Sequence, residues 1–201
     1  MRTLVVLLGA RESAELSNAH QRIVIAKCGG MPAPLVAWAV VRPSPVVCVS
    51  WAEEYGVFAA RVPARAGSLV TVDIARYPAS DRTTYRYRDG AFEPIGPLEP
   101  GIPQRHYGVQ NVSGQTMAFG LLQCVTEDTA VPVSFTVLSP GVPADLVPDD
   151  DIAVWSDATT AAGTVISDLP ARALVVPALG QRWLCCCYDA NTNAFTWIGG
   201  R

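Results

Sequence analysis

Lysine is almost missing from this chain. Lys27 is the only one among 15 basic residues, and arginine supplies the rest. Histidine is nearly as scarce, with His20 and His106 alone. Charged residues fill only 16 % of the 201 positions, and the net charge is -3. That balance argues against a nucleic-acid partner, whose phosphates call for a basic surface. Long apolar runs are also lacking. The opening MRTLVVLLGA superficially mimics an export signal, but its apolar run, Leu4 to Leu8, meets the charged segment Arg11 to Glu15 at once. It is short for a signal and far too short to span a membrane, so it reads as a first strand.

The chemical motifs are missing too. There is no Gly-x-Ser-x-Gly elbow, no His-Glu-x-x-His, no Cys-x-x-Cys, and no phosphate or dinucleotide loop. The triplet Asp149-Asp150-Asp151 lacks the spacing of a calcium loop and reads as a solvated turn. Cys185 and Cys187 share a strand face, but the other zinc ligands would have to come from elsewhere. No catalytic residue, metal or cofactor is therefore assigned. Whether the chain is an enzyme stays open, and the reading leans to no.

What is present is turn punctuation. Glycine and proline number 16 each and are spread along the chain. Between them lie apolar runs of roughly 4 to 8 residues rich in Val, Leu, Ile, Phe, Tyr and Trp, the signature of short strands. Only 10–21 carries helical periodicity, through Ser13, Ala14, Leu16 and Ala19. Helices of βαβ length are absent, so a parallel nucleotide-binding sheet is not expected. In Thr83 to Arg88, Tyr85 and Tyr87 share one face and Arg86 and Arg88 the other. Trp183 to Tyr188 is apolar on both faces, which predicts a central strand or one covered by a partner.

Two series of marks run in the same order. Trp51, Pro63-Ala64-Arg65-Ala66, Tyr87, Ala91-Phe92 and Ile95-Gly96 are echoed by Trp155, Pro170-Ala171-Arg172-Ala173, Tyr188, Ala194-Phe195 and Ile198-Gly199. Trp to Gly spans 45 residues in the first series and 44 in the second. Both end in a hairpin, the first through Asp89-Gly90, a strong two-residue turn signal. The fold expected is all-β: an antiparallel β-sandwich architecture with internal duplication, its two similar modules closely packed. The modules are 1–96 and 106–201, joined by a Pro-rich connection over 97–105.

Charge differs between the halves. Residues 1–105 carry twelve basic and nine acidic side chains, and 106–201 carry three and nine. The halves are suited to attract each other, within a chain or between chains. Six cysteines, three of them consecutive, read as small buried hydrophobes. That favours a reducing compartment, so the expected location is cytoplasmic. Secretion stays open, and there Asn111-Val112-Ser113 would be a glycosylation sequon.

The candidate ligand-binding residues follow from these patterns. Trp51 with Glu53, and Trp155 with Asp157, pair a strand tryptophan with a following acid, a style of sugar site that couples stacking to a hydrogen-bond acceptor. Arg86 and Arg88, among Tyr77, Tyr85 and Tyr87, form the one basic-aromatic cluster and suit an anionic small molecule, an acidic glycan or a lipid surface. His106 stands at a strand entrance, where a side chain reaches a rim. The function expected is non-enzymatic ligand binding, lectin-like or at a membrane surface. Two alternatives stand beside it. One is a self-associating structural protein, a homo-oligomer. The other is a cofactor-independent small-molecule cyclase or isomerase working in a closed β-lined cavity.

Overall fold

A computed structural model describes residues 1–28, 34–62, 65–97, 103–125 and 129–200. Residues 98–102 of the Pro-rich connection, and Pro63 and Ala64 of the first series of marks, lie outside the described residues. Among the described residues the chain is all-β but for one helix. Strands β1 (Arg2–Leu7), β2 (Arg22–Cys28), β3 (Leu35–Val41) and β4 (Val46–Trp51) come first, with helix α1 (Ala10–Asn18) between β1 and β2. Next come β5 (Gly56–Ala60), β6 (Val72–Arg76), β7 (Thr83–Arg88) and β8 (Ala91–Pro97). The second half adds β9 (Tyr107–Asn111), β10 (Met117–Val125), β11 (Thr129–Leu138), β12 (Pro143–Leu146), β13 (Asp151–Asp157), β14 (Val165–Ile166), β15 (Leu174–Val176), β16 (Trp183–Asp189) and β17 (Ala194–Gly200). Among the described residues, no helix is long and apolar enough to cross a membrane.

The strands form three sheets. The largest runs β15-β13-β2-β3-β11-β10-β5-β6, with β14 attached to β3. Two four-stranded sheets run β17-β16-β1-β4 and β12-β9-β7-β8. Each sheet takes strands from both halves of the chain. Pairing between named strands is antiparallel except for β1 with β16 and β7 with β9. Both parallel pairs join strands from opposite halves, and the crossover that parallel pairing requires is supplied by nearly the whole chain for β1 with β16 and by 89–106, which includes β8, for β7 with β9.

The two small sheets pack on the same face of the large one. One apolar cluster joins Leu4, Val49 and Cys186 of the first small sheet, Tyr85 and Val109 of the second, and Ile25, Val57, Phe119 and Val154 of the large sheet. The other face of the large sheet is buried as well, in two smaller clusters around Phe58, Leu122 and Phe135 and around Val24, Ala26 and Trp155. The segments near Leu69 and Thr164 cover it and bridge to each other. Burial on both faces explains why Ile23 to Ala26 shows no alternation: each of these four residues is fully buried.

The hairpins match the sequence reading. Asp89 and Gly90 take φ of 48° and 77°, the positive values a two-residue hairpin turn requires. Tyr87 pairs with Phe92 across β7–β8, and Tyr188 with Phe195 across β16–β17. The ring centroids lie 5.4 and 5.2 Å apart. Each hairpin shifts register once, next to Gly96 in the first and Gly199 in the second. Trp51 and Trp155 do not occupy matching places: Trp51 ends β4 in a small sheet, and Trp155 lies in β13 of the large one.

Gly120 is where the large sheet has no room for a side chain. It stands opposite Phe58 on β5 and Phe135 on β11. A Cβ there would collide with the Ser134 carbonyl oxygen and come within 2.7 Å of Phe58 Cε1. Gly120→Ala is expected to lower stability by about 3 kcal/mol in urea unfolding. Gly114→Ala, where a Cβ meets nothing within 4 Å, should change it by less than about 0.5 kcal/mol.

Candidate functional site

The single lysine is the most deeply buried charged side chain described. It lies on β2 and shares the inner face of that strand with Ile23 and Ile25. Only 2 % of its surface is exposed. Its Nζ sits over two indoles, 4.9 Å from the Trp38 ring centre and 5.0 Å from that of Trp51. The two rings meet edge to face at 5.2 Å. Trp38 reaches the place from β3 and Trp51 from the end of β4.

An ionic cluster closes this end of the sandwich. Arg2 pairs in register with Trp51. Its guanidinium contacts Glu53 at 2.5 Å and Asp150 at 3.4 Å, and donates to the Ala178 carbonyl at 2.9 Å. Arg105, just before β9, contacts Asp150 at 2.9 Å and donates to the Tyr55 hydroxyl at 3.3 Å. Asp150 therefore lies between two guanidiniums. Arg105 has a φ of 66°, and its backbone N–H donates to Asp81 at 2.5 Å. A non-glycine residue in that region is held there by its surroundings.

Lys27 joins none of these pairs. Its Nζ, Trp51 Nε1, Arg105 Nε and Gln123 Oε1 are buried without a hydrogen-bond partner among the described residues. Gln123 is in the same neighbourhood: its side chain donates to the Ala52 carbonyl at 2.7 Å, and its own carbonyl accepts from Trp38 Nε1 at 3.4 Å. Burial, reinforced by the nearby Arg2 guanidinium, brings the Lys27 ammonium down to about 7. Asp150 and Glu53 oppose that shift without cancelling it. Burial likewise lifts Tyr55 and Asp149 above their ordinary ranges.

Of the residues singled out from the sequence, Trp51 and Glu53 belong to this cluster. His106 adjoins Arg105, and its backbone carbonyl accepts from Arg82 N–H at 2.8 Å. Trp155 is 4 % exposed and lies on the opposite face of the large sheet, while Trp51 is 2 % exposed. Neither offers a ring for sugar stacking. Asp157 is held by Thr159 and Thr160, so it closes a turn. Arg86 and Arg88 stand apart on β7. Arg86 faces Glu93 and Gln110 in register, and Arg88 lines a separate depression with Arg61 and Asp73. Lys27, Arg2 and Arg105 were not singled out, and Asp150 was read as part of a solvated turn, whereas it is ion-paired with both arginines. Lys27 did leave a signal, as a lone ammonium inside an apolar strand. The other three stand at strand ends or in loops, where charge is ordinary.

A second feature is the outer face of the β17-β16-β1-β4 sheet. Val5, Leu7, Trp183, Cys185 and Ile198 line an open depression of about 830 Å³ there. Trp183 is 59 % exposed, and Val46 and Ile198 are each 55 % exposed. All six cysteines are free. Burial raises Cys186 to about 12 and Cys28 to about 11, which makes both poor nucleophiles.

The Lys27 shift sets a pH dependence. In the folded chain the amine keeps its proton only below about 7, against 10.5 as its ordinary value. Between those values the unfolded chain binds more protons, so stability rises with pH at about 1.4 kcal/mol per unit. Below pH 7 the penalty is complete and constant. Lys27→Met removes it. That variant is expected to exceed the wild type by a few kcal/mol at about pH 6, with the gap closing toward about pH 9, measured by urea unfolding across the range. In comparisons with known proteins, the chain matches no family model, no curated protein and no solved structure.

Proposed function

We propose that this chain is a non-enzymatic, self-associating binding protein on an internally duplicated β scaffold, and that it binds a second copy of itself through the outer face of the β17-β16-β1-β4 sheet. Duplication is supported by the sheet orders. Exchanging β1 to β4 with β9 to β12, β5 with β13, β6 with β15, and β7 and β8 with β16 and β17 maps the large sheet onto itself. The same exchange maps the two small sheets onto each other. The matched register shifts at Gly96 and Gly199 support it further.

The correspondence supplies an internal comparison, and this observation carries the proposal. On the β12-β9-β7-β8 sheet the outward positions hold Arg86, Gln110 and Asp145. At the equivalent registers the other sheet holds Cys187, Leu7 and Cys48. One scaffold thus presents the same surface twice, once polar and once apolar. Asp189, at the hairpin end of β16, is the first charge on the apolar side's outward positions. A face without charge is self-compatible, because a two-fold interface sets each patch against its own kind.

Strand spacing and rise give the face a footprint of about 400 Å². Two such footprints fall below the roughly 1,600 Å² of a standard interface, so the dimer is expected to be reversible, with a Kd in the range of roughly tens of micromolar. The free cysteines fit a reducing compartment and so support a cytoplasmic setting.

Sedimentation equilibrium tests this reading. The variant Leu7→Gln, Cys48→Asp, Cys187→Arg transplants the polar face onto the apolar one. The wild type is expected to shift from monomer to dimer with concentration, while the variant stays monomeric and keeps its far-ultraviolet spectrum and Tm. A wild type that remains monomeric at high concentration, or that instead binds neutral lipid vesicles as a monomer, would overturn it.

A further inference from the structure

The Lys27 cluster is unusual in what its unpartnered atoms ask for. Three are donors: Lys27 Nζ, Trp51 Nε1 and Arg105 Nε. Two more, Gln123 Oε1 and Gln181 Oε1, are acceptors. Buried donors without acceptors are costly, and natural folds seldom keep several together. The carboxylates at this end are already engaged, Glu53 by Arg2 and Asp150 by Arg2 and Arg105. We propose that this end of the sandwich is a binding site for a small carboxylate, whose oxygens accept from Lys27, Trp51 and Arg105.

Charge and access agree with that ligand. Arg2 and Arg105 balance Glu53 and Asp150, so a protonated Lys27 adds a positive charge that Asp149, itself lifted above its ordinary range by burial, offsets only in part. A bound carboxylate favours the protonated amine, and binding is therefore coupled to proton uptake by Lys27. The charged groups around the amine are Arg2 from β1, Glu53 from the segment after β4, Arg105 from that before β9, and Asp150 from that before β13. Asp149, which also interacts with Lys27, precedes Asp150 on that segment, and Asp151 opens β13. The indoles of Trp38 and Trp51 flank the Lys27 amine and hold it away from water, which strengthens each hydrogen bond made there. A depression of about 580 Å³ lined by Arg2, Glu53, Gln181 and Arg182 lies against the Arg2–Glu53 pair of this cluster. Glu53 is the more exposed member of that pair, its side chain 40 % exposed against 10 % for Arg2. The flanking indoles also provide the signal, since a charge arriving beside them alters their fluorescence.

The full chain is titrated with sodium acetate at about pH 6 and about pH 9, following tryptophan fluorescence and Tm, with sodium chloride at matched ionic strength as control. Acetate is expected to give a saturable response and a rise in Tm at pH 6, at least tenfold weaker at pH 9. Chloride gives neither. Calorimetry in buffers of different ionisation enthalpy should report proton uptake on binding. Lys27→Met is expected to abolish the response. Trp51→Phe, which keeps a ring and removes only the indole N–H, should weaken it several-fold. The face variant Leu7→Gln, Cys48→Asp, Cys187→Arg should bind acetate like the wild type, which separates this site from the self-association reading. A non-saturable response in the wild type, or an undiminished one in Trp51→Phe and Lys27→Met, would overturn the proposal.

Discussion

Backbone pairing between opposite halves of the chain is the constraint on which everything else rests. β2 pairs with β13, β5 with β10, β1 with β16, β7 with β9, and β3 with β11. Removing either half would leave edges exposed in the middle of each sheet, where the backbone groups are buried and must be bonded. The apolar cluster between the layers depends on this exchange, because the small sheets that cover the large one are themselves mixed. So does the Lys27 cluster, which gathers Arg2, Glu53 and, at the boundary, Arg105 from one half and Asp150 from the other.

Such pairing also shapes how the chain reaches its fold. Strands that meet across about a hundred residues must close long loops before any contact rewards them, which slows folding relative to a helical chain of the same size. The hairpins β7–β8 and β16–β17 are the local exceptions. Their turns and aromatic pairs can form early, and each then offers an edge to a strand from the other half.

Much of this was legible in the sequence. Short apolar runs bounded by glycine and proline gave strands, and the alternation in Thr83 to Arg88 gave the correct inward face, with Tyr85 and Tyr87 buried. Trp183 to Tyr188 was expected to sit inside a sheet, and β16 lies between β17 and β1. Partnership was not legible. Periodicity reports which face of a strand is buried but not which strand lies beside it, so the mixing of the halves left no trace in composition or spacing. The same limit applies to the Lys27 cluster. Trp51 and Glu53 stood out because an acid after a tryptophan is a local pattern. Arg2 and Asp150 come together only through the pairing of β1 with β4 and of β2 with β13, which places residues 148 positions apart in contact.

The strand exchange has one consequence for how the chain behaves on dilution. Two separate halves that completed each other's sheets would be an intertwined pair, stable only above some concentration. A covalent connection makes the second half a permanent neighbour of the first, at an effective concentration of about millimolar for a short tether. The assembly of the three sheets is then independent of how much protein is present.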